Sequence, residues 1–276
     1  MPTTTRSPDC ELPDAARLAA VIDIARRAGR EILDVYGTDF QSVAKADASP
    51  LTQADLRAHR LIVDALSSLQ PALPVLSEES AEISFAQRAS WERYWLVDPL
   101  DGTKEFVSRN GEFTVNIALI DRHRPVLGVV HIPVVDTTYS GIPGMGAWRE
   151  ANERGRLAIG VRRQARPPLR VLGSRSHGNP ALKGALEALG PHELKAAGSS
   201  IKLCLVADGS ADLYPRLGPT SEWDIAAGQA VIEAAGGQVV RIDDGTALRY
   251  NTKAELLNPD FMAYGDPECF RRWPRG

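Results

Sequence analysis

The feature that most restricts how this chain can fold is an apolar run that ends in a pair of carboxylates. Trp95-Leu96-Val97 leads directly into Asp98-Pro99-Leu100-Asp101-Gly102-Thr103-Lys104-Glu105-Phe106. The apolar letters read as a buried strand that stops at Asp98. Proline between the two acids stiffens the turn and keeps them converging. Like charges about 4 Å apart repel by roughly 4 kcal/mol at an effective dielectric near 20. Such a pair tolerates burial only with a cation or a shared proton. All-oxygen ligation points to a hard ion, and Mg²⁺ is the natural candidate where a phosphate ester is the substrate. A second segment, Glu222-Trp223-Asp224-Ile225-Ala226-Ala227-Gly228-Gln229, running on to Ala234-Ala235-Gly236-Gly237, reads as the other half of the same site. It lies over a hundred residues downstream, so the fold has to bring two distant stretches together.

Each half also has a plainer reading. Asp-Pro and Asp-Gly are common turn dipeptides. Asp224 suits the N-cap of the helix that follows it. Asp55, three residues after Thr52, is nearly a capping box.

A chain of 276 residues can bury a sizeable core, as one large domain or two fused lobes. With 24% charged residues and a formal net charge of −3, it is not the basic surface of a general nucleic-acid binder. No apolar stretch approaches the roughly eighteen residues of a membrane span. Residues 1–13 are polar and lack an apolar core, unlike a secretory signal. Cys10, Cys204 and Cys269 are scattered and fit no zinc spacing, which suits a reduced cytosol. There is no G-x-S-x-G elbow, no P-loop and no Cys-x₅-Arg signature, and the five histidines (His59, His123, His131, His177, His192) show no metal spacing.

Leu18, Val21, Ile22, Ala25, Ile32 and Val35 recur at three- and four-residue steps, which predicts an amphipathic helix over 14–36 stopped by Gly37. A second helix is expected over 52–69. Residues 113–120, 126–131 and 137–140 read as strands of an antiparallel sheet. Beyond an Arg-rich connection at 162–168, the pattern gives a strand over 169–172 and a helix opening at Asn179-Pro180. A helix over 201–207, a helix over 223–235 and a strand over 239–242 follow. The reading is an α+β first lobe (1–160) followed by an α/β second lobe (161–276).

The motif Asp98-Pro-Leu-Asp-Gly-Thr, preceded by Leu76-Ser77-Glu78-Glu79 and followed by Trp223-Asp224-x-Ala226-Ala227-Gly228, resembles the inositol monophosphatase superfamily. Four further segments are similar to its CysQ-type 3′(2′),5′-bisphosphate nucleotidases. These are Lys45-Ala46-Asp47-x-Ser49-Pro50-x-Thr52-x-x-Asp55; Lys104-Glu105-Phe106 with 110–118; Ser174-Arg175-Ser176-His177; and Gly198-Ser199-Ser200-x-Lys202 with Tyr214-Pro215-Arg216. The likeness spans roughly residues 15–260.

The resemblance implies layers of helices and sheets stacked α-β-α-β-α, with the site between lobes. It implies two or three Mg²⁺ ions held by Glu78, Asp98, Asp101, Asp224 and the Leu100 carbonyl. The sequence itself does not separate Glu78 from its neighbour Glu79. Asp55 and Thr103 become the pair that orients and deprotonates the attacking water, directly or through a metal. Glu78, Asp101, Gly102, Thr103 and Asp224 face the scissile phosphate, with N–H groups at Gly102 and Thr103 cradling it. Ser174, His177, Gly198, Ser199, Lys202 and Arg216 are expected to contact the rest of the substrate. Lys202 and Arg216 are candidates for a second phosphate, although a solvated helix face and a plain loop are the ordinary readings for them.

The implied activity is removal of the 3′-phosphate of adenosine 3′,5′-bisphosphate in the clearing of by-products of sulfate assimilation, with lithium sensitivity. The corresponding 5′-phosphosulfate is left open as a further substrate. Inositol phosphate or fructose 1,6-bisphosphate hydrolysis remains an alternative, as does a silent phosphate-sensing homologue. The expected partner is a small nucleotide, with no nucleic acid and no membrane span. Monomer or homodimer is left open. The expected location is the cytoplasm, with peripheral attachment to the inner membrane open.

Overall fold

The structure is a computed structural model and describes residues 13–38, 42–44, 50–151, 155–174 and 180–274. Cys10, Lys45, Ala46, Asp47, Ser49, Arg175, Ser176, His177 and Asn179 lie outside the described residues.

Helix α1 (Ala15–Tyr36) is capped by the Asp14 carboxylate on the Arg17 N–H, and all six apolar positions named above are buried. A two-stranded pair, β1 (Ser42–Ala44) and β2 (Pro50–Thr52), precedes α2 (Gln53–Ser67). Then come β3 (Val75–Ser77), α3 (Phe85–Arg88), β4 (Arg93–Asp101) and α4 (Thr103–Val107). The meander β5 (Thr114–Asp121), β6 (Arg124–Ile132), β7 (Thr137–Ile142), β8 (Gly146–Ala151) and β9 (Arg156–Ile159) follows. The remaining elements are β10 (Leu169–Ser174), α5 (Pro180–Leu189), β11 (His192–Ala197), α6 (Ile201–Ala207) and β12 (Leu213–Arg216). The chain closes with α7 (Glu222–Ala234), β13 (Gln238–Arg241), β14 (Phe261–Tyr264) and α8 (Pro267–Arg271).

Strands β3 to β9 form a seven-stranded sheet in chain order, antiparallel apart from the β3–β4 pair. The second sheet has the order β11-β10-β12-β14-β13, with β10 parallel to both neighbours. Side chains alternate across the first sheet. Trp95, Val97, Val115, Ile117, Leu127 and Val129 meet α1 and α2 on one face, whereas Tyr94, Leu96, Ala118, Ile120, Val130 and Ile132 join the core with α6 and α7 on the other. Leu172, Tyr214, Val239, Phe261 and Ala263 of the second sheet complete that central core. Leu186 and Leu189 of α5 and Cys269 of α8 cover its far face. The layers are therefore α-β-α-β-α, as the resemblance implies. Among the described residues no helix is long and apolar enough to cross a membrane.

Helix α7 seats deeply on the first sheet because the strands beneath it carry glycines. A Cβ on Gly128 would lie 2.2 Å from the Ala227 carbonyl oxygen, and one on Gly141 would lie 2.9 Å from the Val231 Cα. On its other side, a Cβ on Gly228 would come within 2.7 Å of the Leu203 Cβ in α6. The small residues after Asp224 thus serve close helix–sheet and helix–helix contact.

Candidate metal and phosphate site

Strand β4 does not stop at Asp98 but runs to Asp101, with a break in register. Asp98 pairs with Asn116 and Asp101 with Thr114, so three steps on β4 face two on β5. Such a bulge bends the strand and re-aims side chains. Pro99 sits inside it, and the Leu100 N–H folds back onto Asp98 Oδ1 at 3.0 Å. The turn chemistry read from Asp98-Pro99 is therefore real, and it orients the carboxylate.

Asp224 also keeps part of its plainer reading. Ser221 is the N-cap of α7 and Asp224 is its third residue, forming a capping box in which the Ser221 N–H donates to Asp224 Oδ2 at 3.0 Å. Because α7 lies tight on the sheet, this first turn faces the end of β4. One carboxylate oxygen from each of Asp98, Asp101 and Asp224 falls within 4.8 Å of the others.

Asp98 is pushed well above the usual carboxylate range by burial and then by the charges of Glu78, Asp101, Asp224 and Asp55. Asp224 moves the same way through burial, Asp101 and Glu78, opposed by the Ser221 N–H. Glu78 opens the short 3₁₀ turn after β3, and its charge is felt at both aspartates, whereas the charge of Glu79 is felt at His59. Asp55, fully buried in the first turn of α2, adds to the same field. A buried, mutually repelling, all-oxygen set fits one or more hard divalent cations. The Leu100 carbonyl accepts from the Thr103 hydroxyl at 3.5 Å.

Gly102 caps α4 with φ of 92°, a conformation that side chains rarely adopt, and a Cβ there would lie 3.1 Å from the Glu112 carbonyl oxygen. Thr103 is the first residue of that helix. From the second sheet, the turn 198–200 reaches across to Asp101. Asp101 Oδ2 accepts from Ser199 Oγ at 2.6 Å, the Ser200 N–H at 2.7 Å and Ser200 Oγ at 2.8 Å. The Gly198 N–H donates to Glu112 Oε2 at 2.7 Å.

Lys202 is buried on α6 rather than on a solvated face, and its ammonium donates to the carbonyls of Ala197 (3.1 Å) and Ser199 (2.7 Å). Burial lowers its pKa to about 8. Arg216 ends β12 rather than lying in a loop, and donates to the Pro219 carbonyl at 2.8 Å. Lys104, Lys202 and Arg216 line one cleft with Asp101, Gly102 and Asp224, so cations sit beside the acid cluster. Ser174 ends β10 next to Ala197.

Three participants carried no role in the sequence reading. Lys104 was visible only as a motif letter, as were Thr114 and Asn116. The signal for the last two was two polar letters at the start of a strand that runs on through Ile117-Ala118-Leu119-Ile120: both are buried on β5, and both bond to the 199–200 turn.

Comparison with known proteins agrees with this geometry. The inositol monophosphatase family matches residues 14–264. A curated relative from Escherichia coli (strain K12), "3′(2′),5′-bisphosphate nucleotidase CysQ", is 52% identical over 251 residues, covering 88% of this chain and 98% of that protein. The crystal structure of CysQ from Bacteroides thetaiotaomicron, described as a bacterial member of the inositol monophosphatase family, superimposes with a TM-score of 0.79 at 42% identity, covering 91% of this chain and 97% of that one. A Thermotoga maritima IMPase shares the fold with a TM-score of 0.73 at 24% identity, over 93% and 96% of the two chains.

Proposed function

The chain belongs to the inositol monophosphatase family, and from that premise we propose that it is a 3′(2′),5′-bisphosphate nucleotidase converting adenosine 3′,5′-bisphosphate to AMP and phosphate. One observation carries the choice of nucleotide over inositol phosphate: relatives carrying that nucleotidase name match at 52% identity across almost their whole length. The cleft is consistent with it, since three cationic side chains beside an acid cluster suit a substrate with two phosphates.

In this reading Glu78, Asp98, Asp101, Asp224 and the Leu100 carbonyl hold two or three Mg²⁺ ions. When bound, these ions supply charge neutralisation of the phosphoryl oxygens and an acidified water. Every other task falls to the chain itself. Asp55 and Thr103 together orient the attacking water, with the Asp55 carboxylate as the group that accepts its proton. The N–H groups of Gly102 and Thr103 hold the scissile phosphate in line. Phosphoryl transfer asks mainly for positioning and electrostatic stabilisation, and a bulged strand end facing a deeply seated helix provides rigid anchors for both. Lys202 and Arg216 take the 5′-phosphate, for which a guanidinium fork is well shaped. Ser174, His177, Gly198 and Ser199 contact the nucleoside. Residues 1–160 form the lobe that carries most of the metal ligands and residues 161–276 the lobe that carries Asp224 and the substrate-selecting side chains, and the enzyme works in the cytoplasm.

The test is phosphate release from adenosine 3′,5′-bisphosphate, inositol 1-phosphate and fructose 1,6-bisphosphate, with Mg²⁺ and with EDTA. Preference for the nucleotide, lost in EDTA, is the expected result. A higher kcat/KM on inositol 1-phosphate overturns the substrate assignment.

A further inference from the structure

Asp101 differs from its two partners in the cluster. Asp98 and Asp224 are oriented by N–H groups of their own turns. Asp101 has one oxygen, Oδ2, taken by Ser199 and Ser200, 98 and 99 positions further along the chain, with the Asn116 amide also directed at it from 3.5 Å. Its other oxygen is left for the acid cluster. What keeps those donors pointed at Asp101 is a question of proton direction, since a serine hydroxyl rotates freely unless its lone pairs are held.

Two buried side chains of β5 supply that hold. The Asn116 amide donates to Ser200 Oγ at 2.8 Å, which turns the Ser200 proton towards the oxygens of Asp101 (2.8 Å) and the Asp224 backbone (2.7 Å). Thr114 Oγ1 lies 2.6 Å from Ser199 Oγ. With the Ser199 proton on Asp101, that oxygen can only accept, so the Thr114 hydroxyl is the donor, sharing its proton with Asn116 Oδ1 at 3.1 Å. Ser199 itself has φ of 50°, a left-handed conformation unusual for a residue with a side chain. Its backbone is pinned there by the Lys202 ammonium on its carbonyl.

We propose that Thr114 and Asn116 are positioning residues for Asp101: they touch neither metal nor substrate, and fix the two serine hydroxyls that orient this carboxylate towards the cluster. The inference rests on the metal-dependent reading above. Groups that hold a ligand in place typically change metal affinity about 10- to 100-fold when removed.

The test uses Thr114→Ala, which removes the hydroxyl, Thr114→Ser, which keeps it and removes only the methyl group, and Asn116→Ala. Mn²⁺ binding to each metal-stripped protein is measured by electron paramagnetic resonance, with circular dichroism confirming the fold. We expect the Kd for Mn²⁺ to rise about 10- to 100-fold in Thr114→Ala and to return close to wild type in Thr114→Ser. Asn116→Ala should weaken Mn²⁺ like Thr114→Ala. Should it not fold, the Ala and Ser variants at 114 decide alone. Equal weakening in Thr114→Ala and Thr114→Ser would mean packing by the methyl group, and unchanged Mn²⁺ affinity in Thr114→Ala would remove the role altogether. Wild-type protein that binds no Mn²⁺ would instead overturn the metal reading itself.

Discussion

At the scale of single residues, the acid cluster sets function against stability. Asp98 is buried among four other carboxylates and its pKa is raised well above normal. A carboxyl whose folded pKa exceeds its unfolded value binds more protons in the folded state between those two values. Stability of the metal-free protein therefore falls as pH rises through that window. Asp98→Asn removes the penalty and keeps an acceptor for the Leu100 N–H. We expect its melting temperature in EDTA to exceed wild type, by a margin that grows towards alkaline pH, while kcat with Mg²⁺ drops by about two orders of magnitude or more. A calorimetric pH series in EDTA beside a phosphate-release assay measures both. Two of the cleft cations, Arg216 and Lys202, should separate as well. Arg216→Ala should lower kcat/KM for adenosine 3′,5′-bisphosphate about 10- to 100-fold, the effect of about 1.5–3 kcal/mol for a charged hydrogen bond. Hydrolysis of 3′-AMP, which lacks the second phosphate, should change far less. Lys202→Ala should impair both substrates, because Lys202 also clamps the turn that holds Asp101. Equal losses on both substrates for Arg216→Ala would place it at the scissile phosphate or in structure.

At the scale of elements, the site depends on how closely α7 lies on the first sheet. Gly128 allows this, and an added Cβ would collide with main chain, which cannot swing aside as a long side chain can. Gly128→Ala should cost about 1–3 kcal/mol or more by overpacking. It should also weaken turnover by lifting the α7 first turn that carries Asp224. Urea denaturation gives the first quantity and steady-state kinetics the second; full stability and activity together would show that the helix can re-seat freely. Periodicity made α1 legible from sequence, along with α6 over 201–207 and the strands bearing Asp98 and Thr114, because their apolar faces are continuous. It did not reveal β9, β11 or β12. The first two lie at sheet edges with mostly exposed side chains, and the third is four residues long with a proline inside. The acids of the site were legible through the motif they form together, since singly Asp98, Asp55 and Asp224 also read as turn and cap residues. The hydroxyl network was not, since serine, threonine and asparagine serve too many purposes for a linear pattern to single them out.

At the scale of the whole molecule, the chemistry should follow the metal. Activity should vanish in EDTA, return with Mg²⁺ and fail with Ca²⁺, whose larger radius and looser coordination spoil in-line geometry; phosphate release in each buffer is the measurement, and turnover in EDTA would end the metal reading. The site also has a timing built into it. Asp101 receives its hydrogen bonds from Ser199 and Ser200 and faces a carboxylate at Asp224, 224 − 101 = 123 residues further on. At roughly 5–20 residues per second of synthesis, Asp101 is made about 6 to 25 seconds before Asp224. Until Asp224 is made, the nascent chain has no complete cation trap. A ribosome-arrested chain ending at Thr220 should accordingly show no Mn²⁺-dependent protection from protease, whereas the released full chain should. Catalytic competence is thus a late signal that both ends of the fold have met.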